Sequence, residues 1–236
     1  MTSTRTGLKS RPYPVITFVL AAALAANAQV PTPDSQGAQP QRTGHLFPPE
    51  NLGLLESPDR DAWQKPDQIM DALGIADGST VADIGPGAGW FTIRLARRVG
   101  PNGTVYAEDV QRQMLEAIRR RVSREGLLNV QGRLGTSTDP RLPERAIDAI
   151  LVVDMYSEVD VDDRVTFLRN LARALKPNGR IGIVNYKPGQ GGPGPSGPTE
   201  GVRVDSGAVE ADIRAAGLRV LSRENLPFQY LLVLGR

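Results

Sequence analysis

The five residues Gly85-Pro86-Gly87-Ala88-Gly89, with Asp83 just before them and Asp109 twenty positions after the last glycine, are the part of this sequence best suited to chemistry. Glycines let a backbone bend sharply and approach a ligand closely. The spacing is G-x-G-x-G, not the G-x-G-x-x-G that cradles a dinucleotide pyrophosphate. A carboxylate at Asp83 would repel a pyrophosphate and suits a zwitterionic ligand with an ammonium group. Asp109 falls at the end of the next apolar segment, where an acid can accept both hydroxyls of a ribose. That position also suits a helix N-cap, and the two roles are compatible. Glu108 beside it is expected to point the other way if the strand runs through both.

The elements around these residues alternate. Apolar strands are predicted at Thr80–Ile84, Thr104–Glu108, Asn129–Leu134, Ile147–Val153 and Arg180–Tyr186, with Arg219–Asn225 and Gln229–Leu234 at the end. Helices are predicted at Trp90–Val99, Gln111–Glu125, Arg164–Leu175 and Ser206–Ala216, on apolar sets such as Phe91, Ile93, Leu95 and Val99 or Met114, Leu115, Ile118 and Val122. Shorter helical pieces precede them at Asp59–Gln64 and Pro66–Leu73. Strands alternating with helices make an α/β, doubly wound, mostly parallel sheet. The link Leu226-Pro227-Phe228 is too short for a helical crossover, so the last two strands pair antiparallel. Lys176-Pro177-Asn178-Gly179 reads as a turn. Lys187–Gly201 holds six glycines and four prolines and suits a lid or a plain insertion equally.

Residues 1–28 read as a signal peptide: a basic start ending at Arg11, an apolar run from Val15 to Ala26, and the cleavage pattern Ala26-Asn27-Ala28. The expected location is the periplasm or outside the cell, the alternative being a membrane anchor left uncleaved. Residues 29–50 read as a flexible linker and 51–236 as one domain. The formal charge of +2 counts 28 basic and 26 acidic residues. Without the signal's Arg5, Lys9 and Arg11 the balance is about −1, which gives no electrostatic case for nucleic acid. Arg119-Arg120-Arg121 reads as a solvated helix face. The lone histidine, His45, lies in the linker and the chain has no cysteine, which argues against a serine–histidine triad, a thiol nucleophile and a metal site.

The runs VADIGPGAGWFTIRLA, VYAEDVQRQML, LGTSTDPRLP, AIDAILVVDMYSEV and ALKPNGRIGIVNYKPG, in that order, resemble the motifs of class I S-adenosylmethionine-dependent methyltransferases. They are most similar to small bacterial members of the ubiquinone/menaquinone-biosynthesis type, and ESPDRDAWQKP resembles that group's lead-in. The resemblance implies a Rossmann-like, seven-stranded methyltransferase fold, S-adenosyl-L-methionine as cofactor and a small-molecule acceptor. It implies that Asp83 holds the methionine amino group, that Gly85, Gly87 and Gly89 admit the methionine and ribose, and that Asp109 binds the ribose. Thr136 or Asp139 would sit beside the adenine, Asp154 would face the methionine end or the acceptor, and Trp63 and Gln64 would close over the site. Relatives often carry histidines after the position of Tyr156, where this chain has Ser157 and Glu158, and an acid where Asn185 stands.

Methyl transfer needs an acid–base group only if the acceptor must lose a proton. The candidates are Asp154, Tyr156, Glu158 and Tyr186. Each also has an ordinary structural role: loop cap, core edge, solvated charge and packing respectively. The competing readings are an exported, non-catalytic module that keeps this fold and, less well supported by the loop spacing, a nicotinamide-dependent oxidoreductase.

Overall fold

The computed structural model describes residues 1–2, 46–192 and 200–236. The chain divides into two compact units, Met1–Pro40 and Gln41–Arg236. The expected signal, its cleavage site and most of the linker, His45 included, lie outside the described residues, as do residues 193–199 of the glycine–proline loop.

In the second unit a 3-10 turn at Pro49–Leu55 precedes two short helices, α1 (Arg60–Gln64) and α2 (Pro66–Ala72). The alternating part follows as β1 (Thr80–Ile84), α3 (Trp90–Val99), β2 (Thr104–Asp109), α4 (Arg112–Arg124), β3 (Val130–Leu134), β4 (Ile147–Val153), α5 (Arg164–Ala174), β5 (Leu175–Tyr186), α6 (Ser206–Ala215), β6 (Arg219–Asn225) and β7 (Gln229–Gly235). The seven strands form one sheet in the order β3-β2-β1-β4-β5-β7-β6. The first five run parallel, and β7 lies antiparallel to both its neighbours. The tight link before β7 allows only this return.

Helices cover both faces. Phe167, Leu168 and Leu171 of α5 and Val209 and Ile213 of α6 pack with Ile147, Ile150 and Val152. Ile69 and Met70 of α2 and Phe91, Leu95 and Val99 of α3 pack with Val81, Ala149 and Leu151. Neighbours on β4 thus enter opposite layers, and a central parallel strand is apolar on both sides for that reason. Met114, Ile118 and Val122 are the buried stripe of α4, four residues apart as one helical face requires.

Two details depart from the sequence reading. Residues 176–179 do not stand clear as a turn before the strand. β5 begins at Leu175, opposite Ile147, and the register shifts before Arg180 pairs with Ala149. Asp148, inside that irregularity, accepts from the Thr80 backbone N–H at 2.9 Å and from Lys176 Nζ at 2.7 Å. Arg119 and Arg120 are exposed, but Arg121 is not a plain solvated charge. It donates to the Ala88 carbonyl at 3.0 Å and pairs with Glu56, bracing the glycine bend from α4.

Chain order places the site. From β1 the chain moves outward through β2 to β3, then returns to lay β4 on the other side of β1. Connections leaving β1 and β4 therefore diverge, and open α/β sheets bind ligands in the crevice left at the carboxyl ends of such strands. Asn129, just before β3, holds the far end of α3, donating to the carbonyls of Ala96 and Gly100 at 2.8 Å each. Asn129→Ala removes a donor from two helix-terminal carbonyls. The variant is expected to lose about 1–2 kcal/mol, read as a lower urea midpoint at unchanged slope.

Candidate active site

The bend after β1 is built from left-handed backbone. Gly85, Gly87 and Gly89 have φ of 64°, 53° and 80°, a region that side chains disfavour. Space is short as well. A Cβ on Gly85 would lie 2.9 Å from Met155 Cγ, and one on Gly87 2.8 Å from Leu55 Cδ1. Gly89 plays a different part from the first two. It is the N-cap of α3 and does not line the cleft.

That cleft, of about 850 Å³, opens at the ends of β1, β2 and β4. Asp83, Gly85, Gly87, Asp109, Thr136, Asp154, Glu158, Trp63 and Tyr186 all lie along it. Register explains the convergence: Ile84 pairs with Glu108 on one side and Val152 on the other, so the three strand tips end level. Asp83 is buried and accepts from the Thr92 hydroxyl at 2.6 Å. Asp109 accepts from the Gln111 N–H at 2.8 Å; Gln111 itself is the N-cap of α4, so Asp109 stands just outside the helix and is not its cap. Glu108, expected to turn away, is buried and also borders the cleft, its carboxylate lodged where a side chain on Gly135 would stand.

Three expectations need correction. Tyr156 is fully buried in the core, and its hydroxyl donates to Asp212 at 2.9 Å; it does not border the cleft. Asp154 takes a left-handed turn (φ 57°) at the tip of β4, and the 3-10 turn Tyr156–Glu158 carries the tyrosine ring inward. Asp139 closes a turn with Thr136, accepts from the Arg141 N–H and pairs with Arg173. Only Thr136 of that pair reaches the cleft. Gln64 is fully buried behind the wall and does not close over it. Asn185 is buried too, donating to the Tyr230 hydroxyl at 3.1 Å, which is a packing role.

What sequence reasoning missed is Arg60. Its guanidinium borders the cleft and lies 4.3 Å from the centre of the Trp90 ring. Arg60 Nη1 donates to the Leu55 carbonyl at 2.6 Å, and Nε to Gln64 Oε1 at 3.0 Å. From there the chain of bonds continues. Gln64 Nε2 donates to Gln229 Oε1 at 2.6 Å, and Gln229 Nε2 donates to both oxygens of Asp154 at 2.7 and 2.8 Å. Two buried amides thus join the cation at one end to the acid at the other. The only hint in the sequence was Arg60's place one turn before Trp63 and Gln64.

Charge burial sets the titration. Desolvation pushes Asp83 up to about 6, against the Thr92 hydroxyl and Arg60. Desolvation pushes Asp154 up to about 7, against Arg60 and Gln229. Tyr186 is raised well above an ordinary phenol, by burial first and then by Asp154. Burial lowers Arg60, while Asp154, Tyr186 and Asp83 support its charge.

Residues 81–179 match the methyltransferase domain family. The chain carries a class I, S-adenosylmethionine-dependent methyltransferase domain. A solved structure of a SAM-dependent methyltransferase from Aquifex aeolicus is 27% identical with a TM-score of 0.73, covering 80% of this chain and 98% of that one. Nocamycin O-methyltransferase of Saccharothrix syringae is 32% identical over 51% of this chain and 42% of its own length. Ubiquinone/menaquinone biosynthesis C-methyltransferase of Pasteurella multocida is 29% identical over 50% and 43%. The chain spans about half the length of the curated relatives it matches.

S-adenosylmethionine is the cofactor of that family, and the residues present fit it. A cationic, hydroxylated nucleoside meets buried acids at the tips of β1 and β2, beside a bend in which Gly85 and Gly87 leave no side chain in the way. The methyltransferase cleft also lies within the size range of small-molecule sites.

Its acids have a thermodynamic signature. In the unfolded chain both aspartates titrate near 3.9, below their folded values. Between about pH 4 and 7 the folded protein therefore holds protons the unfolded chain has released, and stability falls as pH rises through that window. Asp83→Asn keeps the shape and removes the buried charge. At pH 8 it is expected to unfold later than the wild type by about 1–3 kcal/mol, with the gain shrinking toward pH 4. An equal effect at both pH values in urea titrations would contradict this origin.

Proposed function

We propose that this chain transfers the methyl group of S-adenosylmethionine to a small-molecule acceptor in the cleft at the ends of β1 and β4. The observation that carries the reading is the convergence of Asp83, the glycine bend and Asp109 on one crevice. In this reading Asp83 receives the ammonium of the cofactor, Gly85 and Gly87 give it room, and Asp109 accepts from the ribose hydroxyls. Thr136 borders the adenine and Trp63 forms part of the wall.

The bound cofactor supplies a methyl group made electrophilic by its cationic sulfur. The chain's own work is alignment and exclusion of water. Orientation of two reactants contributes up to about 7–11 kcal/mol in favourable models. Asp154 is the group suited to hold a proton leaving the acceptor, since it titrates near neutrality and a general base works best there. Tyr186 keeps its own proton and serves as a donor. Glu158 stands farther along the loop and meets the acceptor or its entry path. The names of the nocamycin and ubiquinone/menaquinone relatives support a small organic acceptor. The amino-terminal pattern supports export with cleavage after Ala28.

Isothermal titration of the purified protein with S-adenosylhomocysteine tests the binding half. Asp109→Ala is expected to weaken it at least tenfold, about 1.4 kcal/mol; an unchanged affinity would remove Asp109 from the site. Release of S-adenosylhomocysteine from S-adenosylmethionine over a panel of phenolic, quinol and enolic acceptors tests the transfer half.

A further inference from the structure

Two donors on the cleft wall have no partner among the described residues. Trp63 is 6% exposed and borders the cleft, and its indole Nε1 is buried without an acceptor. Tyr186 is buried and borders the cleft too, and its hydroxyl makes no hydrogen bond among the described residues. The two ring centres lie 6.1 Å apart. Buried donors ordinarily have acceptors, so an open pair on a cleft wall is suited to an oxygen that a ligand brings in.

One amide gathers these residues around Asp154. Gln229 stands opposite Tyr186 in the β5–β7 register, donates to both Asp154 oxygens, and accepts from Gln64, the chain neighbour of Trp63. Asp154 is tied to β5 as well, its N–H donating to the Val184 carbonyl at 2.9 Å. Strand order sets this group apart from the cofactor acids. Asp109 and Asp83 belong to β2 and β1, whereas Asp154 follows β4 and Tyr186 ends β5 on the other side of the bend. The chemistry of the base then narrows the acceptor. A phenol that titrates at about 10 does not readily yield its proton to a carboxyl at about 7. A carbonyl conjugated with the hydroxyl closes that gap. The charge of the anion is then shared with a second oxygen, and hydrogen bonds to that oxygen favour the charged form. We infer that the acceptor is a phenol or enol bearing a carbonyl conjugated with its hydroxyl, the carbonyl oxygen held by Trp63 and Tyr186 and the hydroxyl facing Asp154. The hydroxyl oxygen passes its proton to the Asp154 carboxylate and bonds to the methyl carbon, and the carbon–sulfur bond breaks with its electron pair left on sulfur. The inference rests on the reading of this cleft as a methyl-transfer site.

Probes that each lack one group test it. 2′-Hydroxyacetophenone carries both oxygens, 2-ethylphenol lacks the carbonyl, and acetophenone lacks the hydroxyl. Each is titrated into the full chain saturated with S-adenosylhomocysteine. The wild type is expected to bind the first at least about tenfold more tightly than either of the others. In Trp63→Phe and in Tyr186→Phe its advantage over 2-ethylphenol is expected to shrink to about threefold or less, with affinity for S-adenosylhomocysteine held within about twofold. That retained affinity certifies the fold. Should Trp63→Phe fail to fold, Tyr186→Phe decides, since it removes a single oxygen. Equal binding of the three probes overturns the inference, as does no binding of 2′-hydroxyacetophenone or a preference that survives in the variants. So does a loss of S-adenosylhomocysteine affinity as large as the loss for the probe, which would assign the donors to the cofactor. Each of these results leaves the methyl-donor reading standing; a wild type that binds no S-adenosylhomocysteine removes both.

Discussion

The site depends on one constraint, the divergence of the chain at the shared boundary of β1 and β4. Both strands are apolar on both faces and lie side by side in the centre of the sheet, so neither can shift without exposing two layers of core. Their connections leave in opposite directions. The crevice between them is where Asp83, the glycine bend and Asp154 meet, and it has a fixed shape because the strands beneath it do.

Around that crevice the protein keeps more charge than burial favours. Asp83 and Asp154 are both harder to ionise than ordinary aspartates, while Arg60 lies close to both without pairing to either. Such groups destabilise a fold unless something bound completes them. A left-handed, non-glycine residue at Asp154 adds backbone strain in the same place. Stability is surrendered where function is placed, and the two buried amides behind the wall limit the loss by satisfying Asp154 and orienting Arg60.

Much of this was legible in the sequence where the signal is local. The glycine spacing, Asp83 two residues ahead of it and Asp109 at the next strand tip are short-range facts, and strand registration brings them together without further help. The alternation of elements and the tight link before β7 also sufficed for the sheet. Other residues were legible only in three dimensions. Gln64 and Gln229 meet across 165 positions, and no local pattern announces such a pair. Arg60 sits on a five-residue helix whose role comes from what it packs against. Tyr156 went astray for a geometric reason: the left-handed turn at Asp154 and the 3-10 turn after it send the ring to the core. Asp139 did so because its carboxylate is spent on its own loop and on Arg173.

A structure of the full chain with S-adenosylhomocysteine bound tests the central claim most directly. The account expects the amino-acid end at Asp83, the ribose on Asp109, and the sulfur facing the open part of the cleft beside Asp154. A nucleoside seated away from the β1–β4 crevice, or lying in it with its amino-acid end turned from Asp83, would contradict the account.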